Sequence, residues 1–402
     1  MRALLVRLHR WFGLSAAAFL FMAGLTGALI SWDHELDALI SPQLYRAQTP
    51  GQPLSSLALA EGLERAEPRL MVTWLPLAIE TGDALLLGVR PRVDPATGRP
   101  FELGYDQVAL DPVTGAVQGC RQWGAFSLAP QNLMPFIYKL HYSLHLPQVG
   151  GVDLGIWLMG LLAMAWVLDC LIALWISFPA PRQWRRSLAF RWQAGGPRLV
   201  FDLHRSGGVW LWLLVLMVAI TSVAMNLREP VMKPLVNSLS SLTPPPLEGR
   251  AAADQGHVKG HVTAGISRQA VLDVASQEAR RQGWRTPLGG LFHLPQQAAW
   301  GVGLFKPGAS HGDGGLGNTW LYVDAQTGAL LGQEVPGTGS AGDVFMQAMF
   351  PLHSGRIIGL PGRVLMSALG LCIAALSLTG VLIWARKRKA RHTARRLRLA
   401  TT

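Results

Sequence analysis

Four long apolar stretches constrain this chain more than any other feature of its sequence. Each is 21 to 25 residues long and holds at most one charged residue. A helix that rises about 1.5 Å per residue would therefore cover the roughly 30 Å hydrocarbon core of a bilayer in each case. The runs are residues 11–32, 154–178, 207–227 and 364–385. Only 15% of the chain is charged, against about 25% in soluble domains, so the sequence predicts a membrane protein with four transmembrane helices.

The basic residues divide sharply between the segments that connect these runs. Residues 1–10, 179–206 and 386–402 together hold 17 Lys and Arg residues against one acidic residue. Residues 33–151 and 228–360 hold 18 basic residues against 21 acidic ones. Because basic loops stay in the cytoplasm, both termini and the short middle loop are predicted to be cytoplasmic. The net charge of +12 follows from this distribution and gives no indication of nucleic-acid binding.

The chain reads as two copies of one unit, about 9–178 and 204–385, an internal duplication. In each copy a Leu-His-Arg motif opens one apolar run, and a Leu-His motif precedes the next run. Between them, an Asp-x-x-Thr-Gly turn joins two apolar strands, with Asp and Gly supplying the turn chemistry. Each copy is therefore predicted to be helix, outer α+β domain, helix. The matched segments are Leu8–Arg10 with Leu203–Arg205, Leu140–His141 with Leu352–His353, and Ala109–Val117 with Tyr322–Leu330.

These boundaries predict a four-helix transmembrane bundle that carries two outer domains. The predicted segments are 1–32 (N terminus and first transmembrane helix), 33–151 (first outer domain), 152–178 (second transmembrane helix), 179–206 (cytoplasmic loop), 207–227 (third transmembrane helix), 228–360 (second outer domain), 361–385 (fourth transmembrane helix) and 386–402 (basic cytoplasmic tail).

Taken together, the motifs resemble those of the PepSY-associated transmembrane family of bacterial inner-membrane proteins. The resemblance rests on L-H-R-W-x-G at Leu8–Gly13, on L-H-R at Leu203–Arg205, on the two D-x-x-T-G hairpins and on L-H-S-G-R-I-I-G-L-P-G-R at Leu352–Arg363. It covers nearly the whole chain. The family includes iron-regulated membrane proteins and haem-binding ferric-siderophore reductases. The resemblance implies that the outer segments are periplasmic PepSY-like domains and that the protein lies in the bacterial inner membrane.

Four of the 11 histidines occupy matched positions at the predicted membrane boundaries. His9 and His204 lie at the cytoplasmic edge, and His141 and His353 lie at the outer edge. A single boundary histidine is ordinarily an interfacial polar residue, but two matched pairs offer two imidazoles at each face of a helix bundle. Haem b takes an axial ligand on each side of its ring, and His is a standard one. The pairs therefore predict two haem b groups, one bound by His9 with His204 and one by His141 with His353.

Neighbouring residues leave alternatives open at both faces. His145 lies four residues after His141, so on a helix it would share the same face and would be an alternative ligand or a propionate partner. Arg10, Arg205 and Arg356 follow the candidate ligands and are candidate propionate partners, although each could equally be an ordinary anchor at the membrane surface.

Asp169 is the one acidic residue inside an apolar run, so it is a candidate for a proton pathway or a structural network. Small residues in the first and fourth runs are predicted to be positions of close helix packing. Cys120 is predicted to be a small buried residue. His257 and His261, also four apart, are predicted to lie in a solvated loop. The close-packing positions are Gly24, Thr26, Gly27, Thr379 and Gly380.

The leading functional hypothesis is a di-haem electron-transfer protein that reduces ferric siderophore in the periplasm. The chain contains no nicotinamide- or flavin-binding domain on the cytoplasmic side, so its electrons would come from a separate cytoplasmic or quinone donor. The alternative is a redox-inactive scaffold or regulator whose PepSY-like domains bind a periplasmic protein or peptide. A transporter built on the repeat is a third hypothesis, but one buried charge is little for an ion-coupled cycle.

Overall fold

The structure, a computed structural model, describes residues 1–250, 265–310, 312 and 314–400. Its helices are α1 (Arg2–Ile30), α2 (Asp33–Ile40), α3 (Pro42–Tyr45), α4 (Ser56–Ala66), α5 (Pro130–Ser143), α6 (Leu154–Ser177), α7 (Trp184–Leu188), α8 (Gly196–Trp210), α9 (Trp212–Asn226), α10 (Lys233–Asn237), α11 (Arg268–Arg281), α12 (Ala341–Ser354) and α13 (Leu360–Ala400). Its strands are β1 (Leu70–Pro76), β2 (Leu85–Pro91), β3 (Gln107–Leu110), β4 (Val117–Arg121), β5 (Gln148–Val149), β6 (Val152–Asp153), β7 (Leu288–Leu294), β8 (Ala299–Leu304), β9 (Thr319–Asp324) and β10 (Leu330–Glu334).

The chain divides into two compact units. The membrane unit contains residues 1–32, 137–238 and 352–402, and the sheet unit contains residues 33–136 and 239–351. Each unit therefore draws on both copies of the repeat.

Within the described part of the membrane unit, α1, α6 and α13 are the three single helices long and apolar enough to cross a bilayer. Helices α8 and α9 satisfy the same test only as a pair, because they meet at a bend of 68°. Alone, α9 has 15 residues, which gives about 22 Å and falls short of the roughly 30 Å core. The apolar composition thus supports three spans, or four if the bent pair counts as one.

The bend corrects the prediction of a single helix over residues 207–227. The break falls at Leu211, just after Gly207 and Gly208, and glycine weakens a helix because its backbone loses more freedom on folding. Beyond the break, the Trp212 indole donates a hydrogen bond of 2.9 Å to the Cys170 carbonyl of α6. Hydropathy reports which residues suit lipid, and it does not report where a helix axis turns.

Helices α1 and α13 approach each other closely through two glycines. A Cβ added to Gly24 would lie 2.5 Å from the Gly370 carbonyl oxygen, and one added to Gly370 would lie 2.5 Å from the Gly24 carbonyl oxygen. Small residues permit such an approach of helix backbones in a membrane. The predicted close packing at Gly24 is therefore confirmed.

The sheet unit contains one antiparallel sheet in the order β10-β9-β8-β7-β1-β2-β3-β4. Strands β1–β4 come from the first copy and β7–β10 from the second. The two halves join where β1 pairs with β7, with Trp74 opposite Phe292 and Leu75 opposite Leu291. The two outer segments, predicted to be separate domains, therefore share one sheet. The pairing covers a β1 and a β7 edge that would otherwise expose unpaired backbone groups.

One helix from each copy packs on this sheet. Ser55 caps α4 and Ser267 caps α11, each accepting the N–H three residues later. The two helices are also joined across the repeat, because Arg268 at the start of α11 donates to Glu64 of α4 at 2.6 Å. The common core includes Leu59, Leu63, Val72, Val89, Val271, Ala275, Val302 and Val323.

The two Asp-x-x-Thr-Gly turns have the same hydrogen bonds. Asp111 accepts the N–H groups of Val113 and Thr114, and Asp324 accepts those of Gln326 and Thr327. Gly115 and Gly328 each have φ of +75°, where glycine is the favoured residue. The prediction that Cys120 is buried is wrong. This residue lies in the edge strand β4 and is exposed.

Candidate functional site

The structure brings the four predicted ligands together in two pairs. His9 of α1 faces His204 of α8 with ring centroids 6.2 Å apart and ring planes at 50°. His141 of α5 faces His353 of α12 with ring centroids 6.2 Å apart and ring planes at 58°. We call them the inner pair and the outer pair, after the sides of the membrane that the charge distribution predicts. All four residues belong to the membrane unit.

His145 does not continue the helix that carries His141. Helix α5 ends at Ser143, and Leu144 and His145 have φ of +56° and +54°, in the left-handed region. The condition for a shared helical face is therefore not met. The structure pairs His141, and not His145, with His353.

Each outer-pair imidazole is hydrogen-bonded through Nδ1 to a threonine hydroxyl of a neighbouring helix. His141 Nδ1 lies 3.0 Å from Thr26 Oγ1 of α1, and His353 Nδ1 lies 3.0 Å from Thr221 Oγ1 of α9. Both hydroxyls already donate to a carbonyl four residues earlier, at 2.8 Å and 2.9 Å. A hydroxyl has one proton and a carbonyl can only accept, so this arrangement favours each threonine as the acceptor of the histidine's N–H. With the proton on Nδ1, the lone pair of Nε2 is left for a metal.

The inner pair reaches the same tautomer through different partners. His204 Nδ1 lies 3.0 Å from the Leu376 carbonyl and 3.2 Å from Thr379 Oγ1, both on α13. His9 Nδ1 lies 2.9 Å and 3.0 Å from the two carboxylate oxygens of Asp169 on α6. Because a carbonyl and a carboxylate can only accept, Nδ1 carries the proton in both rings. Asp169, predicted to serve a proton pathway or a structural network, is therefore the partner of a candidate ligand.

Glycine makes room for one imidazole in each pair. A Cβ added to Gly27 of α1 would lie 3.1 Å from Cε1 of His141, and one added to Gly380 of α13 would lie 3.1 Å from Cε1 of His204. Few real Cβ atoms approach another heavy atom so closely. The two residues, predicted to allow helix packing, thus allow the Cε1 edge of each ring to approach a helix backbone closely.

Two arginines at the inner pair have a buried nitrogen with no hydrogen-bond partner. Nε of Arg10 and Nε of Arg205 are in this condition, and each residue directly follows a paired histidine. A buried unpaired donor is costly, so both positions favour an acceptor such as a carboxylate. Arg356 lies two residues beyond the end of α12, in the short turn Arg356–Ile358, and is half-buried.

The donor set and its spacing fit an iron porphyrin. The ring centroids of both pairs are 6.2 Å apart, which leaves room between the two rings for one metal ion with metal–imidazole bonds of about 2.0 Å. Among the described residues, no group of three or more His, Cys, Asp or Glu side chains is arranged to hold a metal ion. Two imidazoles are the number that a haem iron takes from the protein when the porphyrin supplies the other four nitrogens.

Thr221 was not predicted from the sequence, and Thr26 and Thr379 were predicted only as packing positions. Two signals could have found them. Met-x-x-x-Thr occurs once in each copy, at Met22–Thr26 and Met217–Thr221, near the outer end of the first helix of the copy. Leu-Thr-Gly occurs at Leu25–Gly27 and at Leu378–Gly380.

His293 and His34 lie in the sheet unit. His293 of the sheet unit stacks on Trp300 with ring centroids 4.2 Å apart, and burial lowers its pKa to about 4. His34 of the sheet unit packs edge-on against Tyr45. The predicted solvated loop with His257 and His261 lies outside the described residues.

Comparison with known protein families agrees with the repeated motifs. The model of the family described as the PepSY-associated TM region matches residues 6–387. This match confirms the resemblance drawn from the sequence. The comparison with curated proteins gives no match.

Proposed function

The chain belongs to the PepSY-associated TM family of membrane proteins, and we propose that it is a di-haem electron-transfer protein that reduces ferric siderophore. The observation that carries this proposal is the two His–His pairs, each with ring centroids 6.2 Å apart and with every Nδ1 hydrogen-bonded to a group outside the pair. Bound haem b would supply one-electron chemistry at the two positions. The protein's part is to hold, orient and separate them.

His9 with His204 would hold one haem, and His141 with His353 would hold the other. Arg10 and Arg205 would bind the propionates of the inner group through the nitrogens that now lack a partner. Arg356 is the candidate for the same role at the outer group. The Nδ1 bonds hold each imidazole in the tautomer and orientation that iron requires.

Helix α1 determines how far apart the two pairs lie. It carries His9 near its start and Thr26, the partner of His141, near its end. Seventeen residue steps of about 1.5 Å separate them by about 26 Å along the helix axis, somewhat less than the roughly 33 Å of a whole 22-residue span. One continuous helix therefore connects both sites and keeps their spacing constant.

The charge distribution supports an orientation for this path. The basic termini and middle loop would lie in the cytoplasm of a bacterial cell, with the inner pair on that side of the inner membrane. The outer pair and the sheet unit would then face the periplasm. A separate cytoplasmic reductant or a membrane quinol would supply the electrons.

The reaction balances with one electron per ferric ion. A quinol gives up two electrons and two protons to become a quinone, so that one quinol serves two ferric chelates. The siderophore's hard oxygen ligands favour ferric over the softer ferrous ion, so reduction weakens the complex and releases the metal.

The reductase proposal is tested with purified protein in detergent under anaerobic conditions. The protein is reduced chemically, freed of excess reductant and mixed with a ferric siderophore in the presence of a chelator specific for ferrous iron. We expect reoxidation of the haem absorption bands and one trapped ferrous ion per electron lost. His353→Ala, which removes an outer ligand, should slow the reaction at least tenfold.

Two results would contradict the proposal. Haem bands that stay reduced with every one of several siderophore classes would exclude the reductase activity while leaving electron transfer to another acceptor. A protein that holds no haem would favour the alternative, a redox-inactive scaffold that binds a periplasmic protein or peptide.

A further inference from the structure

Three of the four paired histidines are hydrogen-bonded to neutral groups, and one is hydrogen-bonded to a carboxylate. His141 and His353 bond to threonine hydroxyls, and His204 bonds to a backbone carbonyl and a threonine hydroxyl. His9 alone among them bonds to a carboxylate, that of Asp169. The two pairs thus share one geometry and differ in charge.

Asp169 stands where the second copy has a threonine. It supports the first histidine of its copy from the second apolar run, as Thr379 does for His204. The local sequences correspond, with Leu168-Asp169-Cys170 in α6 and Leu378-Thr379-Gly380 in α13. Asp169 is 8% exposed inside an apolar helix, where a carboxylate is expensive to keep unless it has a role. A threonine in the matched position shows that orienting the ring needs no charge.

We propose that Asp169 lowers the reduction potential of the haem held by the inner pair relative to that of the outer pair. The inference rests on the proposed function, since it takes both pairs to hold haem. A carboxylate that accepts the Nδ1 proton raises the basicity of the ring and strengthens its bond to iron. A negative charge in an apolar surrounding also stabilises the ferric centre, which carries one more positive charge than the ferrous centre. Electrons would then move downhill from the inner to the outer pair.

Arg10 and Arg205 act in the opposite sense because they bring positive charge to the same pair. Two propionates bound by these arginines would offset the two charges. The carboxylate of Asp169 then remains as a charge hydrogen-bonded directly to a ligand imidazole, whereas the outer-pair imidazoles are hydrogen-bonded to neutral hydroxyls.

The test is a potentiometric titration of the full-length protein, followed by visible absorbance. His353→Ala is used to isolate the inner haem and His204→Ala to isolate the outer one, so that each midpoint is assigned. Asp169→Asn keeps the shape and an accepting oxygen but removes the charge. We expect this substitution to shift the reduction equilibrium of the inner haem toward the reduced form at least tenfold, which is about 59 mV for a one-electron couple. It should also shift the EPR signal of the ferric inner haem. Ser222→Ala, which removes a hydroxyl that donates to the Val218 carbonyl of its own helix, should change neither midpoint.

The reciprocal variant introduces a carboxylate at the outer pair. Thr221→Asp places a carboxylate against His353, and we expect it to favour the oxidised outer haem at least tenfold. If both haems bind and Asp169→Asn changes the reduction equilibrium of the inner haem less than twofold, the inference is wrong, but the proposed function is unaffected. If Asp169→Asn loses the inner haem and Thr221→Asp leaves the outer midpoint unchanged, Asp169 only holds His9 and the inference is again wrong. A wild-type protein without haem would instead overturn the proposed function itself.

Discussion

The first copy of the repeat opens with a continuous helix, α1, whereas the second opens with α8 and α9, which meet at 68°. Despite this, each copy contributes one histidine to each pair, and both pairs have centroids 6.2 Å apart. The helix backbones differ, but the hydrogen bond at Nδ1 is present in all four places. The comparison teaches that local supports, rather than a common helix path, maintain the geometry of the histidines. The predictions below test how far the two copies are equivalent.

Removing a ligand should have the largest effect, and an equal one in both copies. His141→Ala and His353→Ala should each abolish one haem equivalent, and His9→Ala and His204→Ala should each abolish the other. The haem content per protein is measured by the pyridine haemochrome assay. His392→Ala, an exposed residue on α13, is the matched control and should retain two. If His145→Ala loses a haem while His141→Ala keeps both, the assigned outer ligand is wrong.

Removing the hydroxyl supports should weaken binding without removing the ligand. Thr26→Val and Thr221→Val keep the side-chain shape but leave the Nδ1–H of His141 or His353 without an acceptor. Loss of such a partner typically costs 10–100-fold in affinity for the bound metal group. The measurement is haem transfer to apomyoglobin. Ser222→Ala is the control, because Ser222 donates to the Val218 carbonyl of its own helix. Equal rates in Thr221→Val and Ser222→Ala would show that the hydroxyl has no supporting role.

The turn aspartates allow the comparison to be made in the sheet unit. The N–H of Thr327 outweighs burial and holds the pKa of Asp324 at about 2. Its stabilising contribution is complete above the unfolded pKa of about 3.9 and is lost as the pH falls toward the folded value. Asp324→Asn should therefore lower the free energy of opening of the β9–β10 hairpin at neutral pH by roughly 1–2 kcal/mol. The difference from the wild type should fade in acid.

Asp111→Asn should behave alike in the β3–β4 hairpin. Burial raises the pKa of Asp111, but the N–H groups of Thr114, Thr49 and Val113 lower it by more, so that the pKa lies well below its ordinary value. Hydrogen exchange of the two hairpins is the readout, with Asp273→Asn on α11 as the control. A difference that grows in acid would have the wrong sign.

Filling the glycine contacts should have the smallest effect. Gly27→Ala and Gly380→Ala each place a methyl group 3.1 Å from Cε1 of a histidine, which should cost about 1 kcal/mol of haem binding, or roughly fivefold. Gly13→Ala in α1 is the control, because its Cβ would meet no atom within 4 Å. Gly13→Ala should bind haem as the wild type does. Equal binding in all three would mean that the rings can shift without loss.

Much of the pairing of the four histidines could be predicted because the repeat places each histidine at a matched boundary. His9 and His204 share Leu-His-Arg, and His141 and His353 share Leu-His, so the motifs alone suggest the two pairs. The supports around them were harder to predict. Which residue of α1 faces His141 depends on the rotation of one helix against another, and apolar runs carry no periodicity that reports it.

The shared sheet and the left-handed turn at His145 could not be predicted from the sequence, for different reasons. Alternation predicts strands and turn residues predict hairpins, but neither tells which two strand edges meet, so the junction of β1 with β7 was missed. Leu144 is not a residue that favours positive φ, and the enrichment of His there is too weak a signal to place a helix end, so the end of α5 before His145 was not predicted. Cys120 was expected to be buried from its residue type, and its place in an edge strand exposes it.

The central claim is that two histidine pairs each hold one haem. The most direct measurement is the absorption spectrum and haem-to-protein ratio of the full-length protein, purified from membranes of cells supplied with iron and a haem precursor. We predict two haems per chain, with the Soret and visible bands of six-coordinate low-spin iron in both oxidation states. A colourless protein that stays colourless after incubation with haemin, while its fold is intact by circular dichroism, would contradict the account.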